Sequence, residues 1–194
     1  MEALTEIGAV YVENGKINPD KSFCTFVNPG KPIPQKVVEL TGINDSMVAY
    51  APTPAEAIRQ FKEFCGDNIL VAHNANSFDM LFIRKAGDKA GVDFSNTYID
   101  TLPMAQALFP GLHNYKLDTI NKHLEIQPFN HHRAVDDAMA LARIFEVMLS
   151  DLKEKDMTTV EAINTGLGGN KEVLKKKYDH LIILVPVSYT HLTL

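Results

Sequence analysis

Cysteine is scarce in this chain, and membrane-length apolar runs and basic excess are both missing. Each scarcity narrows the possible functions. Cys24 and Cys65 are the only two cysteines, isolated and without metal-ligand spacing. They read as free thiols in a reducing cytoplasm rather than as a disulfide framework. Without Cys-x-x-Cys or His-Glu-x-x-His, zinc chemistry has no support. No apolar run approaches the roughly eighteen residues of a membrane span, and no signal peptide is visible, so no membrane partner is expected. A net charge of −5 argues against broad neutralisation of a nucleic-acid backbone. It leaves room for an enzyme that grips a short end through divalent metals.

What the chain does have is the material of a globular domain. Its 194 residues are 45% hydrophobic and 22% charged, enough for one core plus an appendage. Glu6 to Val12 reads as a strand, Asn14-Gly15 as a type I′ turn, and Lys21 to Asn28 as the partner strand. After a stiff proline-rich loop, a short helix should end near Leu40, with Gly42 at its C′ position. Thr53-Pro54-Ala55-Glu56 is a capping box that opens a helix to about Phe64. Ile69 to Ala72 suits a strand buried on both faces. A polar loop follows, then a helix from Phe78 to about Ala90. Asn96 to Asp100 is a short strand, and helices are expected over Leu102 to Phe109 and Leu117 to Leu124. Strands and helices thus alternate after an opening hairpin, which predicts an α/β fold with a mixed sheet.

His131-His132-Arg133-Ala134-Val135-Asp136-Asp137-Ala138 marks the entry to a long helix. Advancing ~100° per residue from Ala134 brings Ala138, Leu141, Phe145, Met148, Leu149 and Leu152 onto one stripe. Asp137 lands at its edge, whereas Asp136 points away and reads as solvated. Asp79 similarly falls among Phe82, Ile83 and Ala86. A carboxylate on a core-facing stripe is costly unless it is paired, hydrogen-bonded or holding a metal. Either Asp could cap a loop or meet an Arg; two such acids on separate helices suggest a shared ion. His132 suits the loop entering the helix, where an imidazole beside a metal-holding carboxylate can act as general base.

His132-Arg133-Ala134-Val135-Asp136-Asp137 resembles the third motif, His-x-Ala-x-x-Asp, of the DnaQ-like (DEDDh) 3′–5′ exonucleases. Ala72-His73-Asn74-Ala75 with Phe78-Asp79 resembles the second, and Thr41-Gly42-Ile43 the loop near the substrate terminus. Glu6 to Val10 resembles the strand after the first motif; Ile99-Asp100-Thr101 and Tyr115-Lys116-Leu117 also fall in order. The resemblance covers residues 4 to 150. It implies an RNase H-like mixed sheet flanked by helices and two-metal phosphodiester hydrolysis with Mg²⁺ or Mn²⁺. Asp79 and Asp137 would be metal ligands and His132 the general base, with Asn74 and Thr41 touching a single-stranded DNA 3′ end. Residues 151 to 186 resemble the segment that follows the exonuclease in PolC-type DNA polymerase III, ending in a return strand. That implies proofreading beside the rest of a polymerase chain and its replisome, in a bacterial cytoplasm.

Three departures qualify the expectation. The family's opening Asp-x-Glu strand, central in the sheet and source of two of four carboxylates, is absent, so the domain over 1–150 should be incomplete and inactive as it stands. Two flanking strands should then expose hydrogen-bonding edges. Glu2 and Glu6 are not substitutes. The second motif carries an extra residue, with Asn76 and Ser77 between Ala75 and Phe78. Residues 187–194 match nothing before them and read as a non-native tail. His73, His113, His123 and His131 read as surface or hydrogen-bonded histidines, Asp100 as the anchor of a neighbouring loop, and Lys175 to Lys177 as a solvated face. Three other readings stay open: a truncated non-catalytic nucleic-acid-binding or structural module, a stand-alone DnaQ-like subunit, and an RNA-trimming exonuclease.

Overall fold

A computed structural model describes residues 4–126, 133–167, 178 and 180–188, with backbone alone at 186–188. Strands β1 (Leu4–Glu13) and β2 (Lys16–Phe26) form an antiparallel hairpin. Their turn has φ of 52° at Asn14 and 74° at Gly15, the paired positive values of a type I′ turn. Helix α1 (Gln35–Thr41) stops where Gly42 turns left-handed, and α2 (Asp45–Val48) is capped by Asn44. The capping box of α3 (Pro54–Cys65) is complete: Glu56 accepts the Thr53 N–H at 2.8 Å, and Thr53 Oγ1 accepts the Glu56 N–H.

Next come β3 (Ile69–Ala72), α4 (Asp79–Ala90), β4 (Tyr98–Asp100), α5 (Thr101–Leu108) and α6 (Leu117–His123). The long helix α7 (Ala134–Glu154) follows, then α8 (Val160–Gly166) and a last strand, β5 (His180–Ser188). The expected elements are present with ends shifted by one to a few residues. Helices α2 and α8 are additions, the latter formed where Thr159 caps it by accepting the Ala162 N–H. Helix α7 runs beyond residue 150, and β5 continues across the boundary drawn after residue 186.

The five strands lie in the order β2-β1-β5-β3-β4. Alternation along the strands feeds two cores, one on each face. Val10, Val12, Ile69, Val71, Leu181 and Ile183 meet α7 through Leu141, Phe145 and Met148. Ile7, Ala9, Leu70, Ala72, Ile182 and Leu184 meet the other layer through Ile58, Phe61, Met80 and Ile83. Phe61 and Phe145 are fully buried, each contributing about 2–3 kcal/mol from area removed from water.

The central place corrects one expectation. A sheet lacking its middle strand was expected to leave two edges open, yet β5 lies between them. It pairs antiparallel with β1 from Glu13↔His180 to Leu4↔Ser188 and parallel with β3 from Ile69↔Leu181 to Val71↔Ile183. Unpaired edges beside an apolar slot are costly to leave open, and the near-continuous Leu181-Ile182-Ile183-Leu184 run suits a strand covered on both faces.

Candidate active site

Asp79, the first residue of α4, is 3% exposed. Burial, and secondarily the charge of Asp100, push its carboxyl well above the usual range. Asp100 itself is an organising residue. Its Oδ1 accepts the N–H groups of Asn74 and Leu102, both at 2.9 Å, and its Oδ2 accepts that of Asn76 at 2.9 Å. One carboxylate thus caps α5 and pins the loop after β3, the loop-anchoring role that the sequence favours.

The same loop carries Asn74, held left-handed at φ 64°, a conformation Asn tolerates better than most residues. Its carbonyl accepts the Ser77 and Phe78 N–H groups at 3.2 Å, so the loop carrying the extra residue is closed by backbone hydrogen bonds. Next to it, His73 is locked from both sides. Tyr115 offers a carbonyl at 2.6 Å to Nε2, which must therefore donate, leaving Nδ1 to accept from Thr101 Oγ1 at 2.9 Å. Burial lowers its pKa, consistent with a neutral structural imidazole.

Asp137 sits half-buried in the first turn of α7, its N–H bonded to the Arg133 carbonyl at 2.9 Å. His132 lies outside the described residues. Thr41 lies apart, at the end of α1: its hydroxyl donates to the Val37 carbonyl at 2.8 Å and accepts the Ile43 N–H at 3.1 Å. The structure therefore gathers Asp79, Asp100 and Asn74 beyond the end of β3. Asp136, expected in solvent, is half-buried near Arg133.

A residue that sequence reasoning passed over is Glu6. It is wholly buried and receives Arg133 Nη2 at 2.7 Å and Nε at 3.1 Å, together with the Ala134 N–H at 2.8 Å. An acid placed at a helix N-terminus satisfies an orphan donor and meets the positive end of the helix dipole. Two residues on, Gly8 lets α7 touch β1 directly: a Cβ there would lie 2.2 Å from the Ala134 carbonyl carbon and 2.3 Å from the Val135 nitrogen. Glu6 and Gly8 together fix where α7 starts, and hence where Asp137 stands. The signal available in sequence was the pair Glu6 and Arg133, each beside a motif, but no local pattern links them.

Whether these residues could hold divalent metal ions is decided by their number and engagement. Hard cations require several oxygen ligands. Among the described residues no three His, Cys, Asp or Glu side chains lie together in a metal-holding group, and Glu6 is committed to Arg133. With aliphatic β5 in the central place, the described residues do not fit a two-metal centre.

A mixed sheet of this order, with helices on both faces and acids at the mouth of β3, defines an RNase H-like nuclease fold. The chain belongs to the exonuclease family known as RNase T, whose model matches residues 2–145. It is 44% identical over 185 residues to a DNA polymerase III of the PolC type from Caldanaerobacter subterraneus subsp. tengcongensis, covering 95% of this chain and 13% of that protein. The corresponding protein of Clostridium perfringens is 43% identical, over 94% of this chain and 12% of its own length. The chain therefore spans about an eighth of these relatives. Among solved structures, exonuclease X in complex with 5′ overhanging duplex DNA has a TM-score of 0.61 at 24% identity, covering 77% of this chain and 84% of that one. The cell-death related nuclease CRN-4 has a TM-score of 0.58 at 18% identity, covering 70% and 52%. These two share the fold. No helix among the described residues is long and apolar enough to cross a membrane.

Proposed function

We propose that this chain is the 3′–5′ exonuclease unit of a PolC-type DNA polymerase III, removing 3′-terminal nucleotides as monophosphates during proofreading. The observation that carries the reading is the placement of acids: Asp79 opens α4 beyond the end of β3, and Asp137 lies in the first turn of α7 against β1. In this reading both are ligands for Mg²⁺ or Mn²⁺, completed by an Asp-x-Glu strand in the central place. His132 takes the proton of the attacking water, for which an imidazole titrating near neutrality is suited. Asn74 and Thr41 contact the single-stranded DNA 3′ end. The unit works in the bacterial cytoplasm, beside the remainder of the polymerase chain and the replisome. Residues 1–150 form the exonuclease domain, 151–186 lead back towards the polymerase, and 187–194 are a foreign tail.

The test compares 3′–5′ hydrolysis of a labelled single-stranded oligonucleotide, with Mg²⁺ or Mn²⁺, by this chain and by one extended upstream through an Asp-x-Glu strand. Release of mononucleotides by the extended chain alone, abolished by His132→Ala or Asp137→Asn, is the expected result. Equal activity of both chains would overturn the four-carboxylate account. A non-catalytic module is the second reading, favoured by the aliphatic strand standing in the middle of the sheet; inactivity of both chains would select it. Preference for an RNA oligonucleotide would point instead to a trimming enzyme. Full activity without any polymerase segment would suit a stand-alone subunit.

A further inference from the structure

Strand β2 lies at the rim of the sheet, with β1 on one side alone. Along an antiparallel ladder, residues alternate between bonding to the neighbouring strand and turning their N–H and C=O outward. Val27 donates its N–H to the Thr5 carbonyl at 2.9 Å, so the next pair, Glu6↔Phe26, is one in which Phe26 faces outward. By the same register Cys24, opposite Gly8, and Ser22, opposite Val10, face outward as well. On the turn side of the irregularity after Val10, the outward residue is Ile17, opposite Val12.

Both ends of this rim are stopped. Ile17 gives its N–H to Glu146 Oε1 on α7 at 2.7 Å, and Asn28 gives its own to the Pro52 carbonyl at 2.9 Å. Pro19, Asp20 and Lys21 stand at the irregularity, and proline, charge and bulges are what keep a rim from pairing. The opposite rim, β4, is three residues long, and its Tyr98 carbonyl accepts from Asn164 Nδ2 on α8 at 3.3 Å. Ser22-Phe23-Cys24-Thr25-Phe26 has none of these guards. It holds no charge and no proline, Ser22 and Cys24 are exposed, and no described strand pairs with its outer side. Thr25 Oγ1 donates to the Phe26 carbonyl at 2.9 Å, which leaves that oxygen a second lone pair.

We propose that this window is a pairing site for a second copy of the chain, joined antiparallel about Cys24 so that the two sheets continue as one. The window is complementary to itself. A two-fold axis at Cys24 sets Cys24 opposite its counterpart, Ser22 opposite Phe26 of the other copy, and Phe23 opposite its Thr25. Every outward N–H of the window then meets an outward carbonyl. Phe23 with Thr25 is an aromatic and β-branched pair, a stabilising kind across strands. The Arg133 side chains, each over a Phe26 ring, fall at opposite ends of the joint and do not face each other. A strand already held by β1 loses little freedom on pairing, whereas a flexible peptide must be ordered first, which favours a second copy as the occupant. A joint this short belongs with weak, concentration-dependent interfaces.

Sedimentation equilibrium of the full chain measures self-association, with Cys24→Pro and Cys24→Lys as variants. Proline removes only an outward N–H, and the lysines set like charges directly across the axis. Diamide gives a second readout, taking one hydrogen from each of two Cys24 thiols as the S–S bond forms between them. Opposed Cα atoms in such a pair lie about 5.5 Å apart, within reach of a disulfide, and the other thiol, Cys65, is buried. We expect a reversible dimer, weakened at least about tenfold by either variant, with amide protection at Ile7 and Thr25 retained. Diamide should link the unaltered chain but not Ser22→Cys in a Cys24→Ser background, because those two thiols lie at opposite ends of the joint. If Cys24→Pro disrupts the hairpin, Cys24→Lys alone decides. A chain that stays monomeric at every concentration would overturn the proposal. A dimer indifferent to the variants, or Ser22→Cys thiols that link as readily, would overturn it too.

Discussion

Glu6 and Arg133 lie 127 residues apart in sequence and meet as a two-pronged ion pair in which the acid is wholly buried and the arginine side chain is 37% exposed. The guanidinium also rests over the Phe26 ring, 5.1 Å from its centroid. One end of the pair is on the hairpin and the other at the mouth of α7. The contact therefore ties the opening hairpin to the helix that bears Asp137.

Breaking it from the arginine side should be the costlier change. Arg133→Ala leaves the Glu6 carboxylate buried with the Ala134 N–H and the weak Cys24 thiol donor at 3.8 Å, and should cost about 3 kcal/mol, the low end for a broken buried pair because the arginine is partly solvated. Glu6→Gln keeps a carbonyl for the Ala134 N–H and should cost about half as much. Urea unfolding of the two variants measures the difference; the reverse order would show that the pair is not the anchor of α7.

At Gly8 the restriction is steric. Gly8→Ala would place a methyl group within 2.6 Å of three backbone atoms of Ala134 and Val135, none of which can rotate away. A loss of about 3 kcal/mol or more is expected. Gly30→Ala, where a Cβ meets nothing within 4 Å but φ is +67°, should cost only about 1–2 kcal/mol from left-handed strain. Thermal melts of both proteins separate crowding from backbone strain.

Asp79 should make the fold less stable as pH rises. Its folded-state pKa lies above the unfolded value through burial and the neighbouring Asp100. Between those two values the folded state holds more protons than the unfolded state, so stability is highest below the unfolded pKa and falls as pH rises through the folded one. Asp79→Asn removes the penalty. It should raise Tm by several degrees at pH 8, with the gain vanishing towards pH 4. A gain that is constant across the range would mean that Asp79 stays ionised in the fold.

Asp100→Asn tests the anchored loop. Three backbone N–H groups converge on the two carboxylate oxygens, and an amide can accept on one side only. At least one donor loses its partner, at about 1–3 kcal/mol. Hydrogen exchange at Asn74 and Asn76 should quicken while that in α3 stays unchanged; protection throughout the loop would refute the assignment.

Much of this was legible beforehand. The turn at Asn14-Gly15, the capping box at Thr53 and the stop at Gly42 are encoded by a few adjacent residues, and they fall where the sequence places them. Asp79 was legible as well, because helical spacing alone sets an acid among Phe82, Ile83 and Ala86. Glu6 was not. Its partner comes from the far end of the domain, and strand alternation marks it as inward-facing without saying what it meets. The central place of β5 was equally hidden: Leu181 to Val185 read plainly as a strand, but pairing across most of the chain follows from which edges are left open. Pro186, which has no N–H to donate, is tolerated because the pairing with β3 ends at Ile183.

The order of strands has a consequence for synthesis. The keystone of the sheet leaves the ribosome after both of its neighbours. Until then the hairpin and the β3–β4 pair are two half-sheets with facing apolar margins and no ladder between them. Contacts between segments far apart in sequence form slowly, because the longest loops close last. Newly made chains should therefore linger in a state open to edge-to-edge association. Their yield should rise at low expression rates and with holdase chaperones, which shield such margins until β5 arrives.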